Sequence, residues 1–199
     1  MAGLGGRPID SGGRLGDEFY RMDVLDAAPL LLGKRLCRVG TSGVVSGLIT
    51  EVEAYRGEQD SACHARAGRT RRTEVMYLVG GHAYVYLCYG VHHLLNVVTG
   101  PADEPQAVLI RGIDWVCGPG RLTRALGVTT ADNRLDLRRS DRLWIEDVGC
   151  QPGDVRALPR VGIPYATPAD QALPWRHLWQ PPKTASAPPP GTVGDALSD

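Results

Sequence analysis

Lysine is almost missing from this chain: of 22 basic residues only Lys34 and Lys183 are lysine, and the rest are arginine. Chemistry that needs a lysine amine as nucleophile therefore has two candidates at most. Phenylalanine occurs once against seven tyrosines, so the aromatic faces come with hydroxyl handles. Metal-binding patterns are missing as well. There is no CxxC, HExxH or ExxH, and the neighbours Cys63, His64 and His92, His93 have no partners at zinc spacing, so no metal or other cofactor is expected. Five cysteines, an odd number spaced by 25 residues or more, make no disulfide framework and fit reduced thiols in a cytoplasm. Apolar runs stop far short of the roughly 20 residues a membrane span requires, and residues 1–15 lack the apolar stretch of a signal peptide. Net charge is zero, so any charged ligand must be met by a local patch.

The chain does have enough apolar residues, 43% of 199, for one domain with an ordinary core. Residues 1–16 and 181–199 are rich in Gly, Pro, Ala and Ser without periodicity and are expected to be flexible tails around a domain at 17–180. The pattern predicts a helix over 24–32 stopped by Gly33 and a second over 119–126, between Pro119 and Gly127. Strands are expected at 44–55, 82–88 and 92–98, the last two joined tightly at Tyr89 and Gly90. Further strands are expected in QAVLIRGIDW, RLWIEDV and PRVGIPYA. Strands without βαβ alternation point to an α+β single domain around a largely antiparallel sheet with a few short helices.

Strand periodicity puts Ile49, Glu51, Glu53 and Tyr55 on one face. Two carboxylates so placed are either a solvated sheet face or, in a partly dry pocket, a general base for hydrolysis. In YVYLCYG, Tyr84 and Tyr86 share a face, and Tyr89 falls at a hairpin tip with little to pack against, a shape suited to wedging into stacked bases. Arg56, Arg66, Arg69, Arg71 and Arg72 lie within 17 positions and form a patch that can hold phosphates. With His64, these residues supply a wedge, aromatic walls, phosphate clamps and an acid, which are the parts base extrusion demands.

The ordered motifs EVEAYRG, DSACHARAGRT, GHAYVYLCYGVHHLLNVV, AVLIRGID, GPGRLTRALGV and PRVGIPYA resemble the alkyladenine (3-methyladenine) DNA glycosylase family over roughly residues 18–180. The resemblance implies a curved sheet and a monofunctional enzyme that flips alkylated or deaminated purines, of the 3-methyladenine, 7-methylguanine, hypoxanthine and ethenoadenine class, out of double-stranded DNA. It implies Glu53 as the base that activates water, helped by Arg111 and the backbone carbonyl of Val161, with Glu51 in support. Tyr55, His64 and Tyr86 would sandwich the purine, Asn96 would crowd the 2-amino group of normal guanine, and Tyr89 would fill the gap in the duplex. Arg66, Arg69, Arg71, Arg72 and Met76 would face the DNA backbone. Such an enzyme is expected to work as a cytoplasmic monomer, nucleoid-associated if bacterial. The alternative is a noncatalytic damaged-DNA-binding protein of the same fold.

Overall fold

The computed structural model describes residues 13–41 and 43–182. Of the tails expected over 1–16 and 181–199, residues 1–12 and 183–199 lie outside the described residues. After a single turn α1 (Asp17–Tyr20), helix α2 (Val24–Leu31) opens at Asp23, whose side chain accepts the Leu25 N–H at 3.0 Å, an N-cap that satisfies an otherwise orphaned donor. Then come β1 (Arg35–Gly40), the long β2 (Gly43–Arg56), β3 (Ala83–Cys88), β4 (His92–Val98), β5 (Gln106–Ile113) and β6 (Val116–Cys117). Helix α3 (Pro119–Leu126), β7 (Leu143–Glu146), β8 (Val155–Leu158), α4 (Pro168–Ala172) and β9 (Arg176–Trp179) complete the chain.

The nine strands form a curled antiparallel half-barrel in the order β3-β4-β5-β2-β1-β7, with β6 on β5 and β9 linking β2 to β8. This is the α+β single domain expected. One sheet face buries Ile49, Val52, Ala54, Val97, Val108 and Ile110 against α2 and α3, and Tyr20, Leu31 and Leu122 in that core are wholly buried. The other face carries a smaller cluster of Cys63, Val75, Met76, Tyr84 and Ala107. Strand register across this second face aligns Glu53 with Leu109, Leu109 with Asn96, and Asn96 with Tyr84. One row of side chains thus crosses four strands.

Three expectations change. Ile49 does not share a face with Glu51, Glu53 and Tyr55, because the β2–β5 register shifts between Ile49 and Val52. A bulge of this kind reverses side-chain parity, sending Ile49 into the helix-backed core with Val52 and Ala54 and leaving the carboxylates on the opposite face. The stretch PRVGIPYA is not a strand but an irregular loop between β8 and α4. The N-terminal tail drawn over 1–16 is not uniform: Leu15 N–H donates to the Ile145 carbonyl at 2.9 Å and its side chain is buried, while Arg14 stacks 4.6 Å from the Trp144 ring centroid.

Candidate active site

Glu53 is wholly buried, yet both its oxygens have donors. The Val161 N–H donates to Oε1 at 2.7 Å and the Tyr55 hydroxyl to Oε2 at 2.9 Å, while Arg111 Nη1 lies 3.3 Å from Oε2. The loop can present that amide because Gly162 turns at φ 78°, a left-handed conformation open to glycine at little cost. The Val161 group that meets Glu53 is its N–H, a donor to a carboxylate oxygen that can only accept; the Val161 carbonyl, which the resemblance assigns to the water, is a separate group of the same residue. Burial raises the Glu53 pKa above its ordinary 4.5, and Arg111, the Val161 amide and Tyr55 pull it back only in part. Arg111 loses solvation too, but Glu53 and Glu51 more than offset this and keep its guanidinium charged.

Glu51 sits one register step along the same face. It accepts from Arg111 Nε at 3.0 Å and from Arg176 Nη1 at 3.1 Å. Two carboxylates and two guanidiniums therefore alternate, and their charges cancel locally. This makes a buried anion tolerable at Glu53 without neutralising it by proton uptake alone.

Beside Glu53 the sheet face opens into a narrow pocket walled by Tyr55, His64, Tyr84, Tyr86, Asn96 and Tyr165, which adjoins a cleft of about 510 Å³ reaching Arg66, Arg72, Tyr89 and Arg111. His64 starts a 3-10 turn (His64–Ala67) and meets Tyr86 edge-on, with ring centroids 4.6 Å apart. Its Nδ1 lies 2.8 Å from the Tyr84 hydroxyl and its Nε2 3.4 Å from Arg72 Nη2. A guanidinium only donates, so Nε2 accepts and Nδ1 carries the proton. Burial and the nearby Arg72 and Arg66 lower its pKa to about 4, so the ring is neutral at physiological pH. Asn96 is buried and donates to the Tyr84 carbonyl at 3.1 Å, which fixes its amide at the pocket floor.

Tyr89 stands at the β3–β4 hairpin tip, 90% exposed and at φ 50°. A non-glycine residue there is strained, and such strain needs a reason. Arg66 and Arg72 stack on Tyr165 and Tyr86, 4.7 and 5.1 Å from the ring centroids, at the cleft rim. Arg71 and Arg72 also line a shallow groove along β3. Arg69 is engaged elsewhere, ion-paired with Asp103 and stacked on Tyr77. Met76 departs from its expected surface position: it is 2% exposed and lines the pocket from within, so its side chain does not face outward. A larger hollow of about 700 Å³ shares no lining residue with the cleft and is edged by Asp23, Glu58, Asp60, Asp103, Glu104 and Asp170. Its lining also includes Arg56, paired with Asp23, and Asp60 and Asp103 are paired with Arg160 and Arg69.

Sequence reasoning missed Tyr165, Arg160 and Arg176. The first two lie in PRVGIPYA, where the expectation of a strand drew attention away from side-chain positions. Arg176 had no motif to mark it.

The fold and site define a single-domain α+β protein in which a buried carboxylate with three donors adjoins a tyrosine-walled pocket. Residues 18–182 match the family Methylpurine-DNA glycosylase (MPG). Relatives named as putative 3-methyladenine DNA glycosylases include one from Psychrobacter cryohalolentis, 41% identical over 179 residues (75% of this chain and 84% of the relative). Those from Chlamydia pneumoniae and Bacillus cereus are 42% and 40% identical, each covering 93% of the relative, over 82% and 81% of this chain. The chain belongs to the methylpurine-DNA glycosylase family.

Proposed function

We propose that the protein is a monofunctional DNA glycosylase that draws an alkylated or deaminated purine out of the duplex and hydrolyses its N-glycosidic bond with water. The observation that carries this reading is Glu53: a carboxylate buried against Arg111, the Val161 N–H and the hydroxyl of Tyr55, the residue that walls the adjoining aromatic pocket. As the base departs the sugar gains oxocarbenium character, and an anion held nearby stabilises that charge while orienting the attacking water. The fixed donors mean that little reorganisation is needed as charge develops. Tyr55, Tyr86 and neutral His64 offer faces and edges to a purine, with Asn96 at the floor. Tyr89 at the hairpin tip is shaped to occupy the vacated stack, and the arginines at the rim to hold phosphates.

The test is to incubate the protein with duplexes bearing hypoxanthine or 3-methyladenine and to measure free base and mobility shift together. Base release with an intact sugar–phosphate backbone is the expected result. A shift without release identifies a noncatalytic binder instead, and neither release nor shift removes the reading altogether.

A further inference from the structure

We propose that Arg160 is a positioning residue that sets both the Tyr55 wall of the pocket and the Val161 amide on Glu53; the proposal rests on the glycosylase reading of that site. The Arg160 side chain has no solvent exposure, and that of Asp60 has 1%. The pair is bidentate, with Nη1 on Asp60 Oδ2 at 2.6 Å and Nη2 on Asp60 Oδ1 at 2.8 Å. Nη1 also donates to the Ala54 carbonyl at 3.0 Å, the residue before Tyr55, and Nη2 to the Asp170 carbonyl at 3.3 Å. Its guanidinium carbon lies 4.9 Å from the Tyr55 ring centroid and 5.0 Å from that of Trp175.

Four segments therefore converge on one planar cation. Strand β2 contributes Ala54 and Tyr55. The loop leading to His64 contributes Asp60, which also accepts the Arg56 N–H at 3.2 Å and the Ala62 N–H at 3.0 Å. Helix α4 and the residue before β9 supply Asp170 and Trp175. Val161, the residue next to Arg160, places its amide on Glu53. Moving the guanidinium would shift the stacking wall, the His64 loop and the carboxylate's closest donor at once.

Economy of stability does not account for this arrangement. Arg160 Nε is buried with no hydrogen-bond partner, and a buried ion pair with an unpaired donor is commonly no better than an apolar substitute. A rigid fork does what an apolar side chain or a lysine cannot: it fixes directions at two carboxylate oxygens and a carbonyl together.

The consequence reaches Glu53 through its surroundings. Facing that carboxylate are Glu51 and Tyr55 on its own strand, Arg111 on β5, the Val161 amide on the loop, and Arg160 behind Tyr55; Arg176 on β9 reaches it through Glu51. The Val161 amide favours the charged form of Glu53, so loosening that amide raises the pH needed to ionise it.

The experiment compares wild type, Glu53→Gln, Arg160→Lys and Asp60→Asn in single-turnover release of hypoxanthine across pH, with abasic-duplex affinity and near-ultraviolet circular dichroism measured alongside. Arg160→Lys should lose about 10-fold to 100-fold in rate, keep its affinity for the abasic duplex, and move the acid limb of its rate profile to higher pH. Asp60→Asn should do the same and carries the test if the lysine variant does not fold. A folded variant with wild-type rate and acid limb overturns the proposal. So does a loss of rate with an unmoved acid limb, which marks a structural role alone. Failure of the wild type to release base, or full release by Glu53→Gln, instead removes the reading of Glu53 on which the proposal stands.

Discussion

At the scale of single residues the outcome turns on how a carboxylate is kept both buried and useful. Glu53 has a pKa above its ordinary 4.5, so the native state holds a proton at pH values where the unfolded chain has lost it. Stability contributed by this group is thus present below 4.5 and is lost as pH rises through the higher native value. Glu53→Gln removes the titration, and its stability relative to wild type should rise over that window and then level off, as thermal denaturation at several pH values would show. The same change should lower single-turnover base release by about 100-fold to 10,000-fold, the usual worth of a general base, while abasic-duplex binding persists. Near-normal cleavage by Glu53→Gln would refute the assignment. In wild type the acid limb of the rate profile should lie above pH 4.5, while His64, lowered to about 4, should add no limb near neutrality.

At the scale of elements, the β3–β4 hairpin carries a side chain that its own domain does not use. Tyr89 is 90% exposed and sits at φ 50°, followed by Gly90 at φ 72°. The left-handed backbone costs a non-glycine residue about 1–2 kcal/mol, partly offset in any comparison by glycine's extra freedom in the unfolded chain, about 0.5–1 kcal/mol. Tyr89→Gly should therefore leave the melting temperature unchanged or slightly raised. It should also shorten the lifetime of an extruded ethenoadenine, read by stopped-flow fluorescence. A variant that melts clearly lower, or that holds the base as long as wild type does, would show that the tyrosine packs at home or is not the wedge. The hairpin itself was readable in sequence from two alternating runs flanking Tyr-Gly. The loop 159–166 was not, because Val, Ile and Tyr are strand formers and only the tertiary requirement for a turned amide at Val161 overrides them.

For the whole molecule, zero net charge conceals an uneven distribution, with Arg66, Arg72 and Arg111 lining the cleft and six carboxylates, with Arg56, lining the larger hollow. No helix among the described residues is long and apolar enough to cross a membrane. The described residues contain a single lysine, Lys34, whose Nζ is 2.8 Å from Asp147 and which lies between α2 and β1, away from the cleft residues. An imine route needs a free amine at the sugar, and a carboxylate cannot supply one. Borohydride added during turnover should trap no protein–DNA adduct, and strand breaks should appear only after alkali; a stoichiometric adduct would overturn hydrolysis by water.

The sequence by itself determined the fold class, the two longer helices, the main strands and the family, because these rest on periodicity, caps and motifs that act over a few neighbouring residues. It also brought forward Tyr55, His64 and Tyr86 beside a carboxylate pair, and the resemblance of its motifs named Glu53. Tertiary structure decided the rest. The bulge in β2 set which face the carboxylates share, a one-residue choice that local alternation cannot register. Met76 went inside because the 3-10 turn Glu74–Tyr77 packs onto the second sheet face, where Met76 joins Cys63, Val75, Tyr84 and Ala107. Arg160 met Asp60 across 100 residues, and Val161 met Glu53 across 108; such pairings are made by chain topology, which brings together groups whose local sequence carries no trace of each other.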